Sequence, residues 1–289
     1  ALVVSTLAED DTSSLALVSL VDGTTEPLEL PGPGMVEGLA AAADGSSVLG
    51  FTMTSAPTAS PPSYTDALFL VDLEGDRAVE PVHGLDGAPV EVGDWLFVPG
   101  EAAAVVRAVD NSLLRFDFTT GQAATPPVPT PLGSYLDLVS ASSDGRRLVV
   151  ADIFGPIALS IDGTEERLPA SPLDGVVPSV GGIELLDAGS ARVQQVAILD
   201  SSGRFASYLV HDGSAARILY QSPDGKGSIE GFRVSPNGQY VAVTVVPNVA
   251  ASVSDGYYTS AMATSVSTIV LDVESGAVLA SVDGFDVTW

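Results

Sequence analysis

Apolar and polar positions in this chain alternate in short bursts, and turn residues interrupt them about every four to eight positions. No stretch keeps a 3.6-residue period beyond a turn or two, so the pattern predicts strands and not helices. The clearest part runs from Ser228 to Trp289. It holds Ser228 to Val234, the turn Ser235-Pro236-Asn237-Gly238, the nearly continuous apolar run Tyr240 to Val246, and a polar loop. Ser267 to Val273, Glu274-Ser275-Gly276 and Ala277 to Val282 follow, and Gly284 to Trp289 begins again. The reading is four short strands separated by turns, then the start of a fifth.

The same template recurs upstream. Ser235-Pro-Asn-Gly238 has counterparts in Ser142-Ser-Asp-Gly145 and Ala42-Ala-Asp-Gly45, each placing Asp/Asn-Gly where a tight hairpin needs positive φ. The later turn, Asp272-Val-Glu-Ser-Gly276, recurs as Asp72-Leu-Glu-Gly75 and Asp117-Phe-Thr-Thr-Gly121. Shorter forms are Asp22-Gly23, Asp162-Gly163 and Asp212-Gly213. These glycines mark six units near the ~40–50 residue period of propeller blades. The expected fold is therefore all-β: one domain over residues 1–289, a six-bladed β-propeller of four-stranded antiparallel blades, with seven blades the weaker alternative.

Within the second unit the expected strands are Val36–Ala41, Ser47–Met53, Ala67–Leu73 and Ala78–Val82. The third has Trp95–Val98, Ala103–Val109, Leu113–Phe118 and a Pro-rich outer edge at Thr125–Thr130, which suits a strand that must not pair further. The fourth has Leu136–Ala141, Arg147–Ile153, Pro156–Ile161 and Glu165–Leu168, and the fifth Ile183–Leu186, Val193–Leu199, Phe205–Val210 and Ala216–Gln221. Only three strands precede Pro31: Leu2–Leu7, Ser14–Val21 and Glu26–Leu30. The innermost strand of that first blade is expected from the chain's end, Phe285 to Trp289, which closes the ring and removes an open edge.

Composition narrows the function. Of 289 residues 46% are hydrophobic but only 6% aromatic, so the core is aliphatic. The net charge of −26, from 37 acids against 11 Lys and Arg, repels phosphate backbones and argues against nucleic-acid binding. It favours divalent cations and basic partners, and is equally what a biased, salt-tolerant composition gives. Cysteine is absent, which removes disulfides, thiolate metal sites and a Cys nucleophile. No apolar run reaches transmembrane length. If the protein is exported, its targeting or anchor segment is expected ahead of Ala1.

The run Ser235-Pro-Asn-Gly-Gln-Tyr-Val-Ala-Val243, followed by Ile269-Val-Leu-Asp-Val-Glu-Ser-Gly276, resembles the repeats of TolB-like and WD40-like bacterial propellers. Ser142 to Val150 and Asp44 to Val48 are weaker copies. The resemblance implies architecture and no catalytic residues. It implies an exported or cell-surface binding or assembly module, with a lipoprotein anchor one form of attachment; a monomer is expected.

Two patterns go beyond turns. Each innermost strand carries a carboxylate near its start: Glu37, Asp94, Asp137, Glu184, Glu230 and Asp286. Such strands line a propeller's channel, so the six acids are expected to ring one mouth. Crowded carboxylates raise one another's pKa unless something separates them. Ca²⁺, which takes six to eight oxygens, water, or a basic side chain from a partner would each serve. Ca²⁺ there would resemble metal-dependent lactonases and phytases and gives the alternative of a Ca²⁺-dependent hydrolase; the single lysine, Lys226, counts against phosphate substrates. A structural ectodomain of a larger membrane-anchored protein is the third reading.

The second pattern is two long loops, Thr54–Asp66 and Pro247–Val266, expected on the same face as the acids. Tyr64, Asp255, Tyr257 and Tyr258 are their candidate contacts for a protein, peptide or cell-envelope glycan; the plain alternative is an insertion that touches nothing. His83 and His211 lack zinc-site spacing and read as exposed turn residues. Arg146-Arg147 reads as a solvated turn. No nucleophile elbow, phosphate loop or dinucleotide fingerprint occurs.

Overall fold

The computed structural model describes residues 2–8, 12–42, 47–55, 67–83, 87–98, 101–108, 113–118, 120, 122–124, 137–142, 146–152, 154–160, 164–171, 173, 179–186, 191–199, 205–222, 227–246 and 266–289. Among them the regular structure is all strand, and no helix is long and apolar enough to cross a membrane.

The strands form six sheets of four. Blade 1 contains β1 (Leu2–Leu7), β2 (Ser13–Val18) and β3 (Thr25–Leu28). Blade 2 contains β4 (Gly34–Ala41), β5 (Val48–Ser55), β6 (Ala67–Asp72) and β7 (Val79–Pro81). Blade 3 contains β8 (Val92–Phe97), β9 (Ala103–Ala108), β10 (Leu113–Asp117) and β11 (Gln122–Ala124). Blade 4 contains β12 (Asp137–Ala141), β13 (Arg147–Asp152), β14 (Gly155–Ser160) and β15 (Glu165–Arg167). Blade 5 contains β16 (Ser179–Leu185), β17 (Arg192–Leu199), β18 (Phe205–Asp212) and β19 (Ala216–Gln221). Blade 6 contains β20 (Ser228–Val234), β21 (Tyr240–Val246), β22 (Ser267–Asp272) and β23 (Val278–Asp283). The last strand, β24 (Phe285–Thr288), pairs antiparallel with β1 and completes blade 1. The chain is a six-bladed β-propeller closed by its own C-terminal strand, as its repeats predict.

Packing explains why the second strand of a blade reads as unbroken apolar sequence. Both faces of a blade are covered by neighbours, so alternate residues enter two different cores. Val241, Val243 and Val245 of β21 pack with Leu209 and Leu219 of blade 5, while Ala242 packs with Leu2 and Val4 of blade 1. Blades 1 and 2 share Val3, Leu15, Leu49 and Phe51, and blades 2 and 3 share Leu68, Val106 and Phe116. Val105 meets Val150 between blades 3 and 4, and Val149 meets Ile183 between blades 4 and 5. Each such side chain, fully buried, is worth about 1.5–3 kcal/mol.

The turns behave as their residues require. Gly238 sits at φ 70° and its N–H donates to Ser235 O at 2.8 Å, while Ser235 Oγ accepts the Tyr240 N–H at 2.9 Å. Asp272 accepts from the N–H and hydroxyl of Ser275, both at 2.7 Å, and this holds its carboxyl below the usual range. Asp72 and Asp117 cap the matching turns of blades 2 and 3.

Three local expectations change. The outer strand of blade 3 is Gln122–Ala124, directly after its turn; the Pro-rich segment 125–130 lies outside the described residues. The inner strands of blades 3 and 5 start earlier than expected, at Val92 and Ser179. His211 is no turn residue but a half-buried member of β18 that accepts the Arg217 Nε–H at 3.2 Å. Burial, followed by the Arg217 charge, lowers its pKa. His83 is exposed as expected, and Arg147 forms an ion pair with Glu166 at 2.6 Å.

All six innermost strands lose register with the second strand of their blade. The shifts fall between Glu37 and Ala40, Val92 and Asp94, Leu138 and Ser140, Val180 and Ile183, Ile229 and Gly231, and beside Val4 and Ser5 opposite β24. Such β-bulges bend a strand and re-aim its side chains, here around the central channel.

Candidate functional site

The turn after each inner strand supplies a common frame. The N–H groups of Ala42, Val98, Ser142, Leu186 and Ser235 donate across it to the carbonyls of Val48, Ala103, Arg147, Ala191 and Tyr240 at 2.8–2.9 Å. Two residues upstream stand Ala40, Leu96, Ser140, Glu184 and Arg233, one from each of five blades. All five line a cavity of about 380 Å³ in the channel, together with Thr288 and Trp289 at the closing end of blade 1. Trp289 is held there by its indole N–H, which donates to Arg233 O at 3.1 Å, and by the Tyr240 ring at 5.9 Å. Thr288 Oγ1 accepts the Ala41 N–H at 2.8 Å. The closing strand therefore also builds the cavity wall.

Glu184 and Arg233 face each other across the boundary of blades 5 and 6. Glu184 Oε2 accepts the Val234 N–H at 2.9 Å, and Oε1 lies 3.6 Å from Arg233. That separation makes an ion pair but no direct hydrogen bond. The Arg233 side chain is 40% exposed and that of Glu184 17%. Burial pushes the Glu184 carboxyl above the usual range, although the Arg233 charge and the Val234 bond pull it down.

The folded chain therefore holds the Glu184 proton more tightly than the unfolded chain does. Its stability contribution is complete below the ordinary value of 4.5 and is lost as pH rises through the raised value. Glu184→Gln is expected to flatten the melting temperature against pH over that window. A mutant profile parallel to the wild type's would refute the assignment.

On the opposite side Arg107 of β9 collects two of the other acids. Its Nε donates to Asp94 Oδ2 at 2.9 Å, its terminal nitrogen pairs with the same carboxylate, and it lies 3.4 Å from Asp137 Oδ1. Trp95 lies against the backbone of blade 2, where a Cβ at Gly50 would overlap its ring and one at Gly38 would sit 3.2 Å from Nε1. It also meets Phe97 edge-on at 5.1 Å. Its Nε1–H is buried with no hydrogen-bond partner, as is Ser140 Oγ.

Measured in this frame, the predicted acids among the described residues stand at more than one level. Glu37, Asp137 and Glu230 stand five residues upstream of the turn position and are exposed. The equivalent residues in blades 3 and 5 are Gly93 and Gly181. Asp94 lies one residue further along, and Glu184 three, at the level of Arg233. Asp286 belongs to β24, and its side chain lies outside the described residues. Among the described residues no three His, Cys, Asp or Glu side chains are placed to hold a metal ion. Tyr64, Asp255, Tyr257 and Tyr258 lie outside the described residues.

Sequence reasoning missed Arg233, Arg107, Ser140, Trp95 and Trp289. Counting back two residues from each turn serine or its equivalent finds Ser140 and Arg233. Nothing local marks Arg107, which acts from a second strand across a blade boundary.

No protein-family model matches the chain, and no curated protein matches it. Solved structures do. A chain of a nidogen/laminin complex aligns over 99% of this chain and 97% of its own, with 11% identity and a TM-score of 0.55. An oligogalacturonate lyase in complex with manganese aligns over 96% and 82%, with 10% identity and a TM-score of 0.50. The β-propeller domain of Cps50 (Swd1) from Myceliophteria thermophila aligns over 97% and 85%, with 12% identity and a TM-score of 0.45. At such identities the likeness is one of fold alone.

Proposed function

We propose that this propeller is a non-enzymatic binding module of an exported or cell-surface protein, and that it takes its ligand at the central channel. The observation that carries the reading is the cavity of about 380 Å³ whose wall draws on all six blades. That volume lies in the range of small-ligand pockets, which are typically concave with a few placed polar groups. Glu184 and Arg233 are such groups, and Trp95, Leu96 and Phe97 give the wall its apolar part. The ligand is a protein or peptide group, or a cell-envelope glycan; the net charge of −26 disfavours polyanions. The likeness of the repeats to exported bacterial propellers supports the extracellular setting. A Ca²⁺-dependent hydrolase draws no support from the described residues, where the acids are not grouped around a metal position.

The test is retention of envelope fragments on the immobilised protein, compared with Ser140→Phe, which fills the cavity. Thermal melts establish that the variant is folded, and Leu96→Phe replaces it if it is not. A species retained by the wild type and lost from the filled variant is the expected result. An identical set on both, or none on either, would overturn the reading.

A further inference from the structure

Resting on that reading, we infer that the group entering the channel cavity is a neutral, polyhydroxylated ring, a sugar, held between Glu184 and Arg233 and flanked by Trp95 and Trp289. The polar inventory leads there by elimination. Arg233 presents only donors, and its ion pair with Glu184, one nitrogen at 3.6 Å, leaves further guanidinium N–H groups to a ligand. A bare cation or an ammonium group has no acceptor to offer these donors.

An anion fits no better. Arg233 is the single basic residue of the wall, against Glu37, Asp94 and Glu184. Glu184 in turn needs a donor at Oε1, because Oε2 already accepts the Val234 N–H. The upward-shifted Glu184 carboxyl is, besides, a weak counter-charge for an ammonium. The ligand must therefore give and accept hydrogen bonds side by side and carry no net charge, which adjacent hydroxyls do. The apolar face of such a ring suits an indole. The chain's only two tryptophans, Trp95 and Trp289, both line this cavity.

Those two tryptophans make the test direct, since both line the cavity and no other tryptophan contributes to the fluorescence or the indole N–H resonances. The probes are methyl α-glucoside, methyl β-galactoside, N-acetylglucosamine and maltotriose, set against CaCl₂, argininamide, acetate and N-acetylglycinamide. At least one sugar is expected to shift both indole signals saturably. Arg233→Ala and Glu184→Ala are each expected to weaken that response about tenfold or more. Neither substitution touches the Arg233 carbonyl that anchors Trp289.

If a charged or amide probe saturates while every sugar is silent, the cavity binds and the sugar inference is wrong. A sugar response unchanged in both variants overturns it equally. If no probe moves either indole, this inference fails, and the envelope-retention experiment decides separately whether the wider reading stands.

Discussion

Deleting Phe285 to Trp289 is expected to cost most or all of the folding stability. The closing strand pairs with Val3, Val4 and Ser5 of β1 and buries Val287 against Leu2, Val4 and Ala242. Its loss exposes the inner edge of blade 1 and opens the interface with blade 6. Uncovering two or three side chains at about 1.5–3 kcal/mol each gives a loss on the order of 5 kcal/mol. Total stabilities run to roughly 5–15 kcal/mol. Urea melts should show a much lower midpoint or no cooperative transition. Adding residues 285–289 back as a peptide should restore part of the loss, because strand addition supplies the same backbone bonds. A truncated chain that melts like the full one would show that β24 does not close the ring.

Gly50→Val is expected to cost about 1–3 kcal/mol, the usual penalty of overpacking a filled core. Gly50 lies in β5 directly beneath Trp95, and a Cβ there would also come within 3.1 Å of Phe97. The ring must move, and with it the cavity wall. Tryptophan fluorescence should therefore change together with the melting temperature. Trp95→Leu in the same chain should recover part of the stability, since the two sites are in contact and their effects are not additive. A Gly50→Val protein with unaltered emission and stability would mean that Trp95 does not rest on this glycine.

These two sites differ in how legible they were. The closing strand could be found because the first unit lacked an inner strand and the chain ended with one. The Trp95–Gly50 contact could not, since nothing near Gly50 names its neighbour in the next blade. The acids show the same limit. Glu37, Asp137 and Glu230 occupy one level in three blades, as their spacing to the turn implied. Glu184 stands two residues before its turn position, where the other three stand five before theirs, and it comes opposite Arg233. Asp94 and Asp137 share Arg107, so part of the expected like-charge crowding is neutralised inside the chain.

By itself the sequence determined most of the strands, the number of blades and the route by which the ring closes. Those follow from alternation of apolar residues and from Asp-Gly and Asn-Gly turns, codes that operate over a few residues. The tertiary structure alone decided which side chains meet in the channel. Each inner strand carries a bulge that re-aims its residues, at a place that differs from blade to blade. Closing the six blades then sets residues far apart in the chain across one cavity of about 380 Å³.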